Sequence, residues 1–416
     1  MHILWVKNEL LHPLDKGGRI RTYEMLRRLR DHHRVTYIAL DDGTITAEQR
    51  ERAREYCDEL VIVPWRSAPL RGASRALAAL GNLLSPLPFA LSPYRSAAMT
   101  QAIRDWCART TRGENVVVCD FLTPALNVPK DLDCPVVLFQ HNVEAMIWER
   151  RAKVASNPVV KLYMQEQWRR MQRVEREQCL RFDHVVAVSP EDATVFREWY
   201  GVERVSSVPT GVDTEFFRPS GRVTRTPGSI VFTGSMDWMP NEDGMAFFVD
   251  DILPLVKRAV PEATLTIVGR NPTARVRALA EGRSDISVTG TVPDVRPYLE
   301  AASVVVVPLR IGGGTRIKIY EAMGMERAVV STTIGAEGLD VVDGEHFLLA
   351  DDPQAFADAV VALLRAPERA ARIGQQAASH VRAHFGWAAV AEQFADRCVA
   401  AASRRDRPSP VMSMSS

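Results

Sequence analysis

Two series of short, unbroken Val/Ile/Leu runs constrain this chain more than any other feature. The first comprises residues 2–6 (HILWV), 35–40 (VTYIAL), 60–64 (LVIVP), 115–120 (NVVVCD), 135–141 (PVVLFQH) and 184–189 (HVVAVS). The second starts near residue 229 and reads SIVFTGS, ATLTIVG, ISVTG, ASVVVVP, AVVST and HFLLA. A strand with one wet face alternates apolar and polar residues; these runs do not, so they predict strands buried on both faces of parallel sheets. Helical stretches lie between most of them. In GGRIRTYEMLRRL, for instance, Ile20, Tyr23, Leu26 and Leu29 fall on one helical face. The segment VPTGVDTEFFRPSGRVTRTPG between the series is rich in Pro, Gly and Thr and has no sustained period. It reads as a linker.

The expected fold is therefore α/β, with a first doubly wound domain over 1–209, a linker over 210–228 and a second domain over 229–386. A chain of 416 residues, 46% hydrophobic and 25% charged, is long enough for two such cores. Ligands of these sheets bind beyond the carboxyl ends of the strands, so the site is expected in the cleft that the two domains face. The last residues, 402–416, lack apolar content and are expected to be a disordered tail.

A formal net charge of +1 gives no global field for nucleic acid, which is dropped as a partner. The six cysteines are scattered, without CxxC pairs or histidines at ligand spacing, and read as reduced core residues with no metal site. Lys7, Asn8 and Glu9 interrupt what would be the apolar part of a signal peptide, and no run approaches membrane-spanning length. The expected location is the cytoplasm.

Candidate chemistry collects at the ends of the apolar runs. In PLRIGGGTRIKIYEAM a strand breaks into glycines and then enters a helix. Amides at a helix N-terminus bind anions, and glycine lets a ligand approach the backbone, so Gly313, Gly314 and Thr315 are expected against a phosphate. Arg316 and Lys318 add the positive charge that neutralises a diphosphate leaving group, and Glu321, one turn after Lys318, suits the hydroxyls of a ribose. The competing reading is a loop with a surface ion pair between Lys318 and Glu321. Gly17 and Gly18 stand before a helix in DKGGRIRTYEML and read as a second amide-lined turn, or as an ordinary glycine-containing helix start. His141 and Asn142 end the PVVLFQ run; a lone histidine is often structural, but this position favours function. Glu144 follows where it complements a helix dipole. In VFTGSMDWMPN, Gly234 and the Ser235 hydroxyl are candidates for the same phosphates, while Asp237 and Trp238 close the loop by packing.

Absences narrow the choice. No GxGxxG follows a strand, no GxxxxGK[ST] occurs and no GxSxG is present, so dinucleotide oxidoreductases, P-loop NTPases and α/β-hydrolases are disfavoured. Residues 69–95 (PLRGASRALAALGNLLSPLPFALSPYR) differ in texture: Leu77, Leu80 and Leu84 share a helical face, with Arg71 and Arg75 at its start. They suit peripheral contact with an anionic membrane surface, against the alternative of a core-facing helix and a proline-rich connector.

Taken in order, GGRIRTYEMLRRL, QHN, VSP, VPTGVDTEFFRP, FTGSMDWMPN, GTVPDVRPYLEAASVVVVPLRIGGGTRIKIYEAMGMERAVVSTTIGAEGL and DGEHFLLADDP resemble the landmarks of retaining GT-B glycosyltransferases of the family-4 type. The likeness runs over nearly the whole chain, is densest from Val231 to Pro353, and is greatest to bacterial transferases of exopolysaccharide and envelope glycans. It implies two Rossmann-like domains, with a C-terminal helix over 387–401 crossing back to the first. It also implies a nucleotide-diphosphate sugar as donor, a glycan or lipid-linked acceptor, retention of anomeric configuration, and no cofactor or metal. Glu321 matches the second glutamate of the family's E-x7-E motif, His141 the histidine beside the donor sugar, and Gly17 and Gly18 the glycine turn beneath the diphosphate. Gly313 stands where the first glutamate would be. Ser235 and Asn241 stand where the family carries its phosphate-binding Arg and Lys, which leaves Arg316 and Lys318 as the replacements. An epimerase or hydrolase on this fold, or a catalytically silent binding protein, are the alternatives.

Overall fold

The structure, a computed structural model, describes residues 1–14, 17–65, 78–79, 81–111, 113–154, 157–311 and 316–405. Each series of apolar runs folds into one wholly parallel sheet. The first contains β1 (His2–Val6), β2 (Arg34–Asp41), β3 (Glu59–Pro64), β4 (Asn115–Asp120), β5 (Val136–Phe139), β6 (His184–Ala187) and β7 (Val205–Ser207), in the order β3-β2-β1-β4-β5-β6-β7. The second contains β8 (Ser229–Thr233), β9 (Thr264–Val268), β10 (Ile286–Val288), β11 (Val304–Val307), β12 (Val329–Ser331) and β13 (Leu348–Leu349), in the order β10-β9-β8-β11-β12-β13. Register is set by apolar neighbours: Ile3 lies between Val35 and Val116, and Val305 between Val231 and Val329. Every residue of β4, β5, β6, β8, β11 and β12 is buried, as continuous apolar runs require of strands covered on both faces.

Local chemistry marks the helix ends. Helix Pro158–Arg181 starts with Asn157, whose side chain accepts from the amides of Val159 and Val160, followed by proline at the first helical position. Helix Pro190–Tyr200 repeats the device with Ser189 and stops at Gly201, which takes φ of 71°.

The chain divides into two units, 1–209 with 390–416 and 210–389. Helix Trp387–Arg405 starts in the second and rejoins the first, where Phe394 packs on Trp5 and Phe139 at ring separations of 5.4 and 4.9 Å. Residues 402–405, expected in a disordered tail, continue this helix because its buried stripe extends through Cys398 to Ala401. A second difference is that the helix read as following Gly17 and Gly18 starts at Gly17 itself, Gly17–Leu29, so the two glycines form its first turn. Strand β7 was not expected, since VSS is short and polar. It forms because Val185, Val186 and Ala187 of β6 offer it an open edge.

In both units the order reverses between two central strands, β1 and β4 in the first and β8 and β11 in the second. The crevice beyond the carboxyl ends of such a pair is where a doubly wound sheet binds ligands. Lys7 follows β1 and Asp120 ends β4; Gly234 follows β8 and Pro308 follows β11.

Candidate active site

At the switch point of the first unit, three donors and an imidazole converge on one carboxylate. Asp120 is wholly buried, and its Oδ2 accepts from Trp5 Nε1 at 2.9 Å, Lys7 Nζ at 2.7 Å and Thr22 Oγ1 at 2.6 Å. His141 Nε2 lies 2.8 Å from Oδ1. Burial alone would raise the Asp120 pKa, but the Lys7 ammonium and His141 hold it well below the carboxylate range. His141 moves the other way: burial lowers it to about 4, against the opposing pull of Asp120, so the ring is neutral near pH 7. Its Nε2 faces Asp120, which leaves Nδ1 on the side of Gly18, 3.7 Å from where a Cβ on Gly18 would sit.

Phe121 fixes the ring from the other side. It stacks on His141 at 3.9 Å between centroids, carries Lys7 Nζ 4.3 Å from its own centroid, and takes φ of 77°, a conformation that costs a non-glycine residue roughly 1–3 kcal/mol. The segment carrying His141 and Asn142 is held by Glu175 of helix Pro158–Arg181. Its carboxylate accepts from the amides of Glu144 and Ala145, from Gln140 Nε2 and from the Tyr200 hydroxyl. Burial raises Glu175 to about 7, with these donors pulling it down. Glu144 does open helix Glu144–Val154, as expected for a residue complementing the helix dipole.

The second unit holds a cavity of about 430 Å³ at its own switch point, lined among others by Gly234, Asn241, Arg316, Lys318 and Glu321. Arg316 is the residue before helix Ile317–Gly324, and Lys318 and Glu321 lie one turn apart on that helix. The expected alternative, a surface ion pair between them, is not what forms. Lys318 Nζ instead donates to Asn241 Oδ1 at 2.9 Å and sits 4.1 Å from the Phe232 ring centroid, while Asn241 Nδ2 donates to the Ser235 carbonyl. The lysine thus reaches Asn241 from another helix. Burial lowers Lys318 to about 7 and raises Glu321 to about 7, each opposed by the charge of the other. Arg316 is lowered by burial, with Glu337 opposing. The Glu321 carboxylate makes no hydrogen bond among the described residues.

Glycine is required where backbones touch. A Cβ on Gly234 would lie 2.6 Å from Lys318 Nζ, and one on Gly269 would fall 1.6 Å from the Gly234 carbonyl oxygen. Gly234 lines the cavity. The Ser235 hydroxyl does not reach it: it donates to Asp237 Oδ1 at 2.6 Å and accepts from Arg270 Nε at 2.9 Å. Asp237 closes that loop, but Trp238, expected to pack there, is 57% exposed and lines the cavity. Gly313, Gly314 and Thr315 lie outside the described residues.

Sequence reasoning missed Asp120, Lys7, Glu175, Arg21 and Arg270. Asp120 ends a strand in NVVVCD just as His141 ends one, and that shared position was the available signal. Arg21, half-buried, is lowered to about 10 by burial despite the nearby charges of Asp120 and Asp192.

Comparison with known proteins follows this division of the chain. Residues 16–216 match the model described as Glycosyltransferase Family 4, and residues 227–366 the model described as Glycosyl transferases group 1. A D-inositol 3-phosphate glycosyltransferase of Catenulispora acidiphila is 29% identical over 245 residues, 51% of this chain and 55% of the relative. A phosphatidyl-myo-inositol mannosyltransferase of Mycobacterium leprae is 30% identical over 195 residues, 45% of this chain and 51% of the relative. The chain thus spans about half the length of these relatives. The crystal structure of Anabaena HepE in complex with UDP superposes with a TM-score of 0.65 at 15% identity, over 95% of this chain and 99% of that one, a likeness of fold. One matching model per doubly wound unit, on this architecture, means that the chain belongs to the family-4-type glycosyltransferases of the GT-B fold.

Proposed function

We propose that the chain is a retaining glycosyltransferase that moves a sugar from a nucleoside-diphosphate donor to an acceptor hydroxyl. The observation that carries this is the Lys318 ammonium, held against Asn241 in a cavity that also receives Arg316 and Glu321. In this reading Glu321 takes the ribose hydroxyls, and Lys318 and Arg316 take the diphosphate. An ammonium lowered to about 7 by burial gains its full charge when an anion arrives, so its interaction strengthens as negative charge develops on the leaving group. The departing diphosphate oxygen then accepts the acceptor proton, which needs no protein base, and Arg316 and Lys318 supply the neutralising charge without a divalent cation. The family resemblance assigns His141 to the donor sugar and Gly17 and Gly18 to the diphosphate; within the first unit the His141 ring is neutral and lies between Asp120 and Phe121. Gly313 leaves the sugar without the family's first carboxylate.

HepE binding UDP and a relative named for phosphatidyl-myo-inositol support, respectively, a nucleoside-diphosphate sugar and a lipid-linked or surface-glycan acceptor. We place the reaction in the cytoplasm, with peripheral membrane contact through residues 69–95. Residues 69–77 and 80 of that segment lie outside the described residues; Leu84 within it is 94% exposed. Among the described residues no helix is long and apolar enough to cross a membrane. The test is transfer of labelled sugar from a panel of UDP-, GDP- and ADP-sugars to glycan and lipid extracts, with and without EDTA. Acceptor-dependent transfer that survives EDTA is expected. Nucleotide release that ignores the acceptor would overturn the transferase in favour of a hydrolase.

A further inference from the structure

In the first unit, helix Ala97–Arg109 meets the turn that leads into β5 through two pairs of side chains. Arg104 donates from both terminal nitrogens to the two oxygens of Asp131, at 2.9 and 2.6 Å. One turn further along the helix, Cys107 Sγ lies 2.9 Å from Cys134 Sγ. We propose that Cys107 and Cys134 are a reversible disulfide site, oxidised by a small-molecule disulfide to a staple between this helix and the start of β5. Nothing in this chemistry depends on the transferase reading.

Three features of the fold favour that bond. The first is register. Residues 104 and 131 are 27 positions apart, and so are residues 107 and 134, so one helical face meets one turn of chain twice at the same offset. The bidentate ion pair fixes the two backbones by its fork geometry. At its other end the same helix is held by its cap, Ser96, whose amide donates to Asn127 Oδ1 at 2.7 Å. With both backbones held, bonding to about 2.05 Å asks the two sulfurs to close by only about 1 Å, a small rotation of the side chains.

The second feature is access. Five of the six cysteines are buried, and Cys107 is half-buried. Burial raises the thiols of Cys57, Cys119, Cys179 and Cys398, which keeps them protonated and unreactive. Cys107 is therefore the sulfur that a reagent in solvent reaches, and Cys134, 3% exposed, is the one beside it. The third is the chain that the bond would close. It contains β4, paired with both β1 and β5, so the loop passes through the centre of the sheet. Closing a loop of this length removes conformations from the unfolded chain. Cys134 precedes β5 and His141 follows it, so the staple sits at the amino end of the strand and the candidate site at the other.

The exchange balances with glutathione disulfide as oxidant. Cys107 loses its proton and its thiolate attacks one glutathione sulfur; that S–S bond breaks, and one glutathione leaves and takes up a proton. Cys134 then loses its proton and attacks the Cys107 sulfur of the mixed disulfide, displacing the second glutathione, which is protonated in turn. Two cysteine thiols are oxidised by two electrons, and one disulfide is reduced to two thiols.

The test uses the full chain, reduced with dithiothreitol, separated from it and incubated with glutathione disulfide. Thiols are counted after denaturation, and digests made without reduction, with remaining thiols blocked, are read by mass spectrometry. Six thiols before oxidation and two fewer after it are expected, with tryptic peptide 105–109 joined to 131–150 and dithiothreitol restoring all six. Oxidation should lower the unfolding equilibrium constant in urea about 30-fold or more. Cys107→Ser should lose both effects, and Cys134→Ala should stop at glutathione bound to Cys107. Six thiols persisting under oxidant, a link between any other pair, glutathione retained on Cys107 in the wild type, or thiol loss that survives Cys107→Ser overturns the proposal. A 105–109 to 131–150 link that forms without stabilising the chain upholds the disulfide and overturns the staple.

Discussion

Replacing Lys318 by methionine removes an ammonium while keeping a chain that still covers Phe232. The nucleoside diphosphate supplies at least one negative charge to this cavity. At about 4 Å and an effective dielectric of about 20, the direct attraction is about 4 kcal/mol, and desolvation reduces such a contact to roughly 1.5–3 kcal/mol net. K318M is therefore expected to bind the preferred nucleoside diphosphate about 10- to 150-fold more weakly, and the corresponding nucleoside within two-fold of wild type. Titration calorimetry with UDP, GDP and ADP and their nucleosides measures both. The pH profile is a second reading of the same atoms. Burial lowers Lys318 to about 7, so above pH 7 the anion must draw a proton onto it, and affinity should fall as pH rises. Glu321, raised to about 7, must lose its proton to accept ribose hydroxyls, so affinity should also fall below pH 7. K318M should abolish the alkaline limb and Glu321→Gln the acid limb. If K318M binds the diphosphate within three-fold of wild type, or keeps its alkaline limb, the assignment of Lys318 to the leaving group is wrong.

Gly234→Ala should displace the lysine, because the new Cβ would lie 2.6 Å from Nζ; a loss of diphosphate affinity close to that of K318M is expected, with a far-ultraviolet spectrum unchanged. Gly269→Ala has no such outlet, since its Cβ would meet backbone at 1.6 Å, and should fail to give soluble folded protein. Asp120→Asn leaves Lys7 buried without its counter-charge and should cost about 3–5 kcal/mol in urea unfolding. Adding Lys7→Met should recover part of this, and simple additivity would refute the coupling. Glu175 is raised in the fold to about 7, so its contribution to stability is complete below the unfolded pKa of roughly 4.5 and is lost as pH rises through about 7. Glu175→Gln should flatten that part of the stability profile, and an unchanged slope between pH 5 and 8 would exclude the buried carboxyl as its source.

Much of the fold was legible because parallel strands buried on both faces must be apolar throughout, a pattern that survives in one dimension. HILWV, NVVVCD and ASVVVVP announced β1, β4 and β11 in this way. β7 was not legible, because VSS becomes a strand only beside the open edge of β6. The candidate site divides along the same physical line. Residues that follow an apolar run, such as His141, Gly234 and the Arg316–Glu321 group, were found because strand ends are visible in sequence. Asp120 was passed over, although it ends a run, because its meaning lies in Trp5, Lys7, Thr22 and His141, brought to it from three other elements. Glu175 was invisible for the same reason, being one of three glutamates on a long charged helix until the fold set it beneath the amides of residues 144 and 145.

The amino-acid sequence by itself determined the class of sheet, the doubling of the unit and the strand ends at which chemistry collects, because burial and turn chemistry act over a few neighbouring residues. Tertiary structure alone decided which charges meet. Lys318 stands 77 residues from Asn241 in the chain, yet its ammonium lies 2.9 Å from the Asn241 oxygen, and no local pattern encodes a distance set by how two separate helices are brought together.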